Sequence, residues 1–216
     1  MVASQTFGNV FFFIGIKKLD AGTTQIAFSS ILIWGALLSV MFLGSKFSYI
    51  QLIGIIVMLV AILTIQFKKE NLDLNRGFLY IATSAGLFAV FQVASADLSK
   101  IFTTGTYLVI AYFGPTLILG AIYYKSIRNE LKLLSSQLKN TAAKTLFASG
   151  TSLLYFIFSY VAYKQAPDRG IVVVLLTSQV VLSVIFGMVF LKEKQNIIRK
   201  LIAGVLAFIA GVLIKS

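Results

Sequence analysis

Six stretches of this sequence run for 19 to 25 residues without a single charge: 21–45, 47–67, 77–96, 101–124, 145–163 and 170–191. A helix of about 20 apolar residues crosses the roughly 30 Å hydrocarbon core of a bilayer. Inside that core, helices satisfy their backbone N–H and C=O groups internally. Runs of this length and number predict a chain that threads a membrane repeatedly as helices. Two shorter runs, 1–16 and 201–214, bracket the set. The last extends backwards through Gln195–Ile198 if Arg199 and Lys200 reach up to the headgroups. The expected fold class is all-α, a polytopic helical membrane protein with about eight transmembrane helices.

Composition agrees. Hydrophobic residues make up 58% of the 216, charged residues 12%, and mean hydropathy is +0.92. A soluble domain carries about 25% charged residues, so this chain has too little polar surface to cover itself in water. The same numbers exclude disorder, collagen-like repeats and a disulfide scaffold. The 19 basic residues against 7 acidic give a net charge of +12. They lie between the apolar runs, where they meet phospholipid headgroups, so the expected partner is the lipid bilayer and not a nucleic acid. There is no His and no Cys. That removes the usual zinc sites, thiol nucleophiles, Ser-His triads and haem or iron-sulfur ligation. No enzyme activity, metal or cofactor is expected.

Helices in lipid approach closely through small residues. Ala82, Ala85, Gly86 and Ala89 form such a stripe, as do Ala203, Gly204, Ala207, Ala210 and Gly211, and Gly54 and Ala61 are spaced for another. These predict a packed bundle. The longest connection, 125–144, places Ile127, Leu131, Leu134 and Leu138 at helical spacing among Lys and Arg. It reads either as a helix in the headgroup plane or as a polar loop.

The chain also repeats itself. At an offset of 148, residues 7–46 lie over 155–194 without a gap. Asp20 falls on Asp168, Gly22 on Gly170, Ser30 on Ser178, Phe42-Leu43 on Phe190-Leu191 and Lys46 on Lys194. In each copy a helix ends at a polar corner, a long helix ends in Phe-Leu, and a glycine-bearing helix follows a charged corner. The second copy is preceded by two more helices, which makes a unit of five. An odd number of crossings inverts the second copy relative to the first, the inverted-repeat plan of many transporters.

At this point the chain resembles the EamA branch of the drug/metabolite transporter (DMT) superfamily, permeases built from two five-helix repeats. The resemblance rests on the corner after the fourth helix of each repeat. Here that corner reads Phe42-Leu43-Gly44-Ser45-Lys46-Phe47-Ser48 with Gln51 and Gly54, and again Phe190-Leu191-Lys192-Glu193-Lys194 with Gly204. Ser45 stands where the family pattern usually has Glu, and neither 21–45 nor 170–191 holds the mid-helix Pro common there. The resemblance implies an inverted-repeat transporter bundle (3 + 5). Residues 1–67 form a partial first repeat and 77–216 a complete second one, with the first two of ten helices absent. It implies a small-molecule substrate moved by alternating access. The alternative is a truncated or non-autonomous subunit that needs a homo-oligomer or partner chain to complete the path. The expected location is the cell (plasma) membrane.

Polar groups inside a bundle mark packing bonds or a pathway. The candidates for a hydrogen-bonding cavity are Ser30, Trp34, Gln92, Tyr155 and Gln179. Against each stands a plainer reading. Ser and Thr bond back to their own helix, Gln ties neighbouring helices together, and Trp34 packs or faces lipid. No uncharged run contains a carboxylate, so no proton relay is visible. Orientation reads two ways. The connections after the first, third, fifth and seventh runs hold 14 Lys/Arg and the remaining ends hold 5, which puts both termini outside; the family plan implies both inside.

Overall fold

The computed structural model describes residues 1–19, 24, 27–66, 76–176 and 197–215. Asp20, Gln25, Thr177, Ser178, Gln179 and Glu193 lie outside them. Among the described residues every regular element is helical: α1 Val2–Ile16, α2 Ile31–Leu38, α3 Tyr49–Gln66, α4 Arg76–Leu98, α5 Thr104–Ile122, α6 Tyr124–Gln165, α7 Arg169–Leu176 and α8 Ile197–Lys215. Among the described residues, three segments are long and apolar enough to cross a membrane, Arg76–Leu98, Thr104–Ile122 and Thr145–Gln165. Val2–Ile16, Ile31–Leu43, Tyr49–Thr64 and Leu201–Ile214 are shorter apolar helices. The last helix includes Ile197 and Ile198 of the expected backward extension; residues 195 and 196 lie outside the described residues.

Of the stripe residues, Ala85, Ala89, Ala210 and Gly54 sit where helices meet, whereas a methyl at Gly211 would enter open space. α1 runs antiparallel to α4, and a methyl added at Gly15 would fall 2.5 Å from Ile81 Cδ1. The Ser84 hydroxyl donates to the Gly8 carbonyl at 2.8 Å. α3 packs along α8, where Gly54 lies so close that a methyl would stand 2.8 Å from Ile214 Cγ1 and 3.0 Å from the Ile214 nitrogen. Ile31 at the start of α2 packs on Ala85 and Ala89 of α4. One core joins α2, α3, α7 and α8 through Leu32, Met58, Ile62, Val174, Ala210 and Ile214. Another joins α4 to α7 through Val93, Ala96, Tyr107, Ala111, Tyr160, Tyr163 and Val173.

Run 21–45, expected as one span, is interrupted. Ser30 N bonds to Ala27 O at 3.3 Å and Leu32 N to Ser29 O at 3.1 Å, both across three residues, and the Ser30 hydroxyl donates to Ala27 O at 2.8 Å. Serine hydroxyls that bond back to the backbone favour such tightened turns. α2 resumes at Ile31, widens into a π-helical turn over Ser39–Leu43 and stops at Gly44, whose φ of +69° is the left-handed cap that glycine supplies.

The connection 125–144 is helical, continuous with the span after it in α6. A straight helix of 28 residues from Tyr124 to Ser152 would be about 42 Å long. Yet the Tyr112 hydroxyl lies 3.5 Å from the Ser152 hydroxyl, and only the rest of α5 and Tyr123 separate Tyr112 from Tyr124. That path, a tyrosine side chain included, reaches about 31 Å at most. α6 therefore bends between 124 and 152, and its basic first half leaves the axis of the span. Of the two readings of 125–144, the helix is the one observed.

Candidate functional site

The interior between α4, α5 and α6 is aromatic and uncharged. Phe156 is its hub. It lies 5.8 Å, ring centre to ring centre, from Phe91, 6.4 Å from Tyr107, 5.2 Å from Tyr112 and 5.8 Å from Tyr155. Tyr107 stacks on Tyr160 at 3.9 Å with ring planes 11° apart. Tyrosine at this depth must place its hydroxyl. Tyr107 donates to Ser95 Oγ at 3.4 Å, and Ser95 donates to the Phe91 carbonyl at 2.7 Å. Tyr160 donates to the carbonyls of Leu98 and Phe102, at 3.3 and 3.0 Å, around the end of α4.

Two amides in this part of the bundle are not settled in that way. Gln92 is 6% exposed and Gln5 9%, and in each the buried Oε1 has no hydrogen-bond partner in the protein. A buried acceptor left unmade costs about 1–3 kcal/mol, so each such group calls for an explanation. Gly15 faces Gly77 and Ile81 while Gly8 faces Ser84 to Phe88. Continuing that antiparallel register brings Gln5 to within about one turn of Gln92 in depth. The arrangement offers hydrogen-bond acceptors and ring faces. Among the described residues it holds no carboxylate, thiol or imidazole, and no cluster able to hold a metal ion.

The end of the bundle beyond Gly44 is closed by polar bonds between distant parts of the chain. Ser45 Oγ donates to Asp168 Oδ1 at 2.6 Å, and the Gly170 N–H donates to the same oxygen at 2.8 Å. Arg169 Nε donates to Ser99 Oγ at 3.2 Å. Gly170 approaches this corner so closely that a methyl would stand 2.8 Å from Ser39 Cβ. The ion pair Lys100–Asp97, at 2.9 Å on one turn, is half-exposed and screened.

The sequence-derived candidates divide. Tyr155 touches the aromatic hub at Phe156, and Gln92 follows the hub residue Phe91 on α4. Ser30 and Trp34 stand apart from it. The Ser30 hydroxyl is spent on its own turn, and the Trp34 indole, 46% exposed, covers Gly86. Gly86 and Gln92 are about 9 Å apart along α4. Gln179 is not among the described residues. Gln5, Tyr107, Tyr112 and Phe156 were not among the candidates. The signal for the tyrosines was their depth: Tyr107 and Tyr112 lie well inside a run, away from the interfacial belt where tyrosine is usual.

Residues 1–67 match the model of the EamA-like transporter family. No functionally curated protein matches the chain. Among the solved structures, twelve chains resemble it. One, described as "Crystal structure of protein", shares the fold at a TM-score of 0.72 and 16% identity, covering 99% of this chain and 75% of that one. Over residues 1–67 the chain is thus similar to the EamA-like transporters, and over nearly its whole length it shares a helical fold with a solved structure.

Proposed function

We propose that the chain carries a small, uncharged organic metabolite across the cell membrane by alternating access between two inverted repeats, 1–67 and 77–216. The observation that carries this reading is the buried Gln92 carbonyl, without a protein partner, on the same turn of α4 that presents Phe91 to the Phe156 aromatic hub. A solute with hydrogen-bond donors and a flat or apolar face satisfies both. The absence of a carboxylate among the described hub residues favours a neutral cargo. The repeat is supported by packing: α3 and α8, which hold the equivalent runs, lie against each other. α2 and α7, from the equivalent runs, are also in contact. Alternating access then requires the Ser45–Asp168 bond, which ties one repeat to the other, to open.

Flux of a metabolite panel into proteoliposomes tests the reading. Gln92→Leu is expected to reduce flux at least tenfold while the protein remains folded, and Tyr155→Phe to reduce it less. Ser30→Ala and Trp34→Phe are expected to leave it within twofold. Gln179→Leu is expected to behave like Gln92→Leu if Gln179 lines the same cavity. Full flux in Gln92→Leu overturns the assignment. A second reading, a path completed by another copy or a partner chain, is favoured by the span of α6, where Ser149 is exposed along with Leu146 and Phe147. Hydroxyls facing lipid are unfavourable. Flux that appears only with a co-purified chain supports this second reading.

A further inference from the structure

A groove of about 630 Å³ runs between α1 and the junction of α5 with α6, lined by Asn9, Val10, Phe13, Ile14, Lys17, Leu119, Tyr123 and Ile127. It lies at the opposite end of the bundle from the Ser45–Asp168 corner and is separate from the Phe156 hub. Its volume is that of a small-molecule site, but its character is not that of a site for a polar solute. Five of the eight lining residues are Val, Phe, Ile and Leu, and the groove follows α1 for about 12 Å between Asn9 and Lys17. Asn9 supplies little polarity, because its side-chain nitrogen donates to the Gln5 carbonyl at 3.0 Å.

The polarity is concentrated at one end. Lys17 follows the last turn of α1, and Tyr123 follows the last turn of α5, at the depth where lysine and tyrosine meet headgroups. Lys125 and Arg128, both exposed, lie on the first turns of α6 beside the lining residue Ile127. Lys18 is turned away over the Tyr80 ring at 5.1 Å. Among the described residues, Lys17, Lys125 and Arg128 make no ion pair; the salt bridge found lies at the other end of the bundle.

We infer that this groove is a binding site for an anionic phospholipid of the surrounding bilayer, with one acyl chain along Val10, Phe13, Ile14 and Leu119 and the phosphate at Lys17 and Arg128. The shape requires a long apolar tail, and the charge selects the head. A zwitterionic lipid brings its own cation to a site that already has several. A cation near the membrane surface favours an anionic lipid about fivefold, so two set a preference of about 25-fold.

The test is native mass spectrometry of the full chain released from vesicles of equal phosphatidylglycerol and phosphatidylcholine. One tightly retained phosphatidylglycerol is expected, preferred by more than tenfold. Lys17→Gln and Arg128→Gln should each cut that preference about fivefold without reducing the amount of folded protein. Leu119→Trp, which fills the groove, should abolish retention of the tightly held lipid. Equal retention of the two lipids overturns the proposal, as does unchanged preference in the Lys17→Gln, Arg128→Gln double variant. Displacement of the lipid by millimolar inorganic phosphate also overturns it, since the site would then read a free anion and not an amphiphile. Lipid retention is read without any measurement of flux, so this result stands apart from the transport proposal.

Discussion

α1 and the span of α6 invite comparison, because the offset of 148 lays residues 7–16 over 155–164 and makes the two equivalent in the proposed repeat. α1 has 15 residues and buries one face, Ser4, Gln5, Thr6, Gly8 and Gly15, while Phe7 and Phe13 stay exposed. The span of α6, Thr145–Gln165, has 21 residues, and most of its first half is exposed, Phe147 at 75%. Apolarity does not explain the difference, since both are hydrophobic. Glycine placement does. Gly8 and Gly15 let α1 close onto Phe88 and Ile81, and Gly8 leaves its carbonyl open to Ser84. Gly150 in α6 has nothing within 4 Å. In lipid, where tails are as apolar as leucine, close approach and interhelical hydrogen bonds decide burial.

This contrast breaks first at Gly15. Gly15→Leu drives a branched side chain into Ile81 and the Gly77 carbonyl, and overpacking of this kind costs about 3 kcal/mol. The denaturation midpoint in mild detergent with added SDS is expected to fall accordingly. An unchanged midpoint would mean that α1 does not sit on α4. The corner joining the two ends of the chain comes next. Asp168→Ala removes the acceptor used by both Ser45 and the Gly170 N–H, a loss of about 2 kcal/mol for bonds to a charged group. It also frees one end of the bundle, so accessibility of a cysteine placed at Ser39, which is buried in the closed corner, should rise. Ser84→Ala follows, at about 0.6 kcal/mol and no more than about 1.7, the range for interhelical hydrogen bonds in membranes. The same assay resolves it.

Much of this was legible in the residues. Uncharged runs foreshadowed the described helices, and the Ala82–Ala89 stripe and Gly54 two of their interfaces, because length and side-chain size act locally. The division of run 21–45 was not legible. Ser29 and Ser30 were visible as polar residues, but whether a serine turns the backbone or lines a cavity depends on what packs around it. Gln92 was legible as a long amide needing a partner. Its neighbours were not, because the Phe156 hub gathers Phe91, Tyr107, Tyr112 and Tyr155 from three helices, and no spacing within one helix reports such a meeting. Ser45 and Asp168 were each recognised as corner residues, but 123 positions separate them, and only the fold brings one to the other.

The smallest expected effect sharpens the comparison most. Gly150→Ala adds a methyl in open space and removes a helix-interior glycine, which is expected to stabilise α6 by about 0.5–1 kcal/mol, opposite in sign to Gly15→Leu. Gly150→Leu should be equally tolerated if lipid alone faces this surface. If a second copy covers it, a leucine there wedges the helices apart. The Gly150→Leu variant would then lose stability where wild type does not, and the dependence of the wild-type midpoint on protein concentration in the detergent phase would disappear. One substitution at an apparently unused glycine thus separates a helix that ends the bundle from one that waits on a neighbour. It does so through thermodynamics alone, with no cargo in hand.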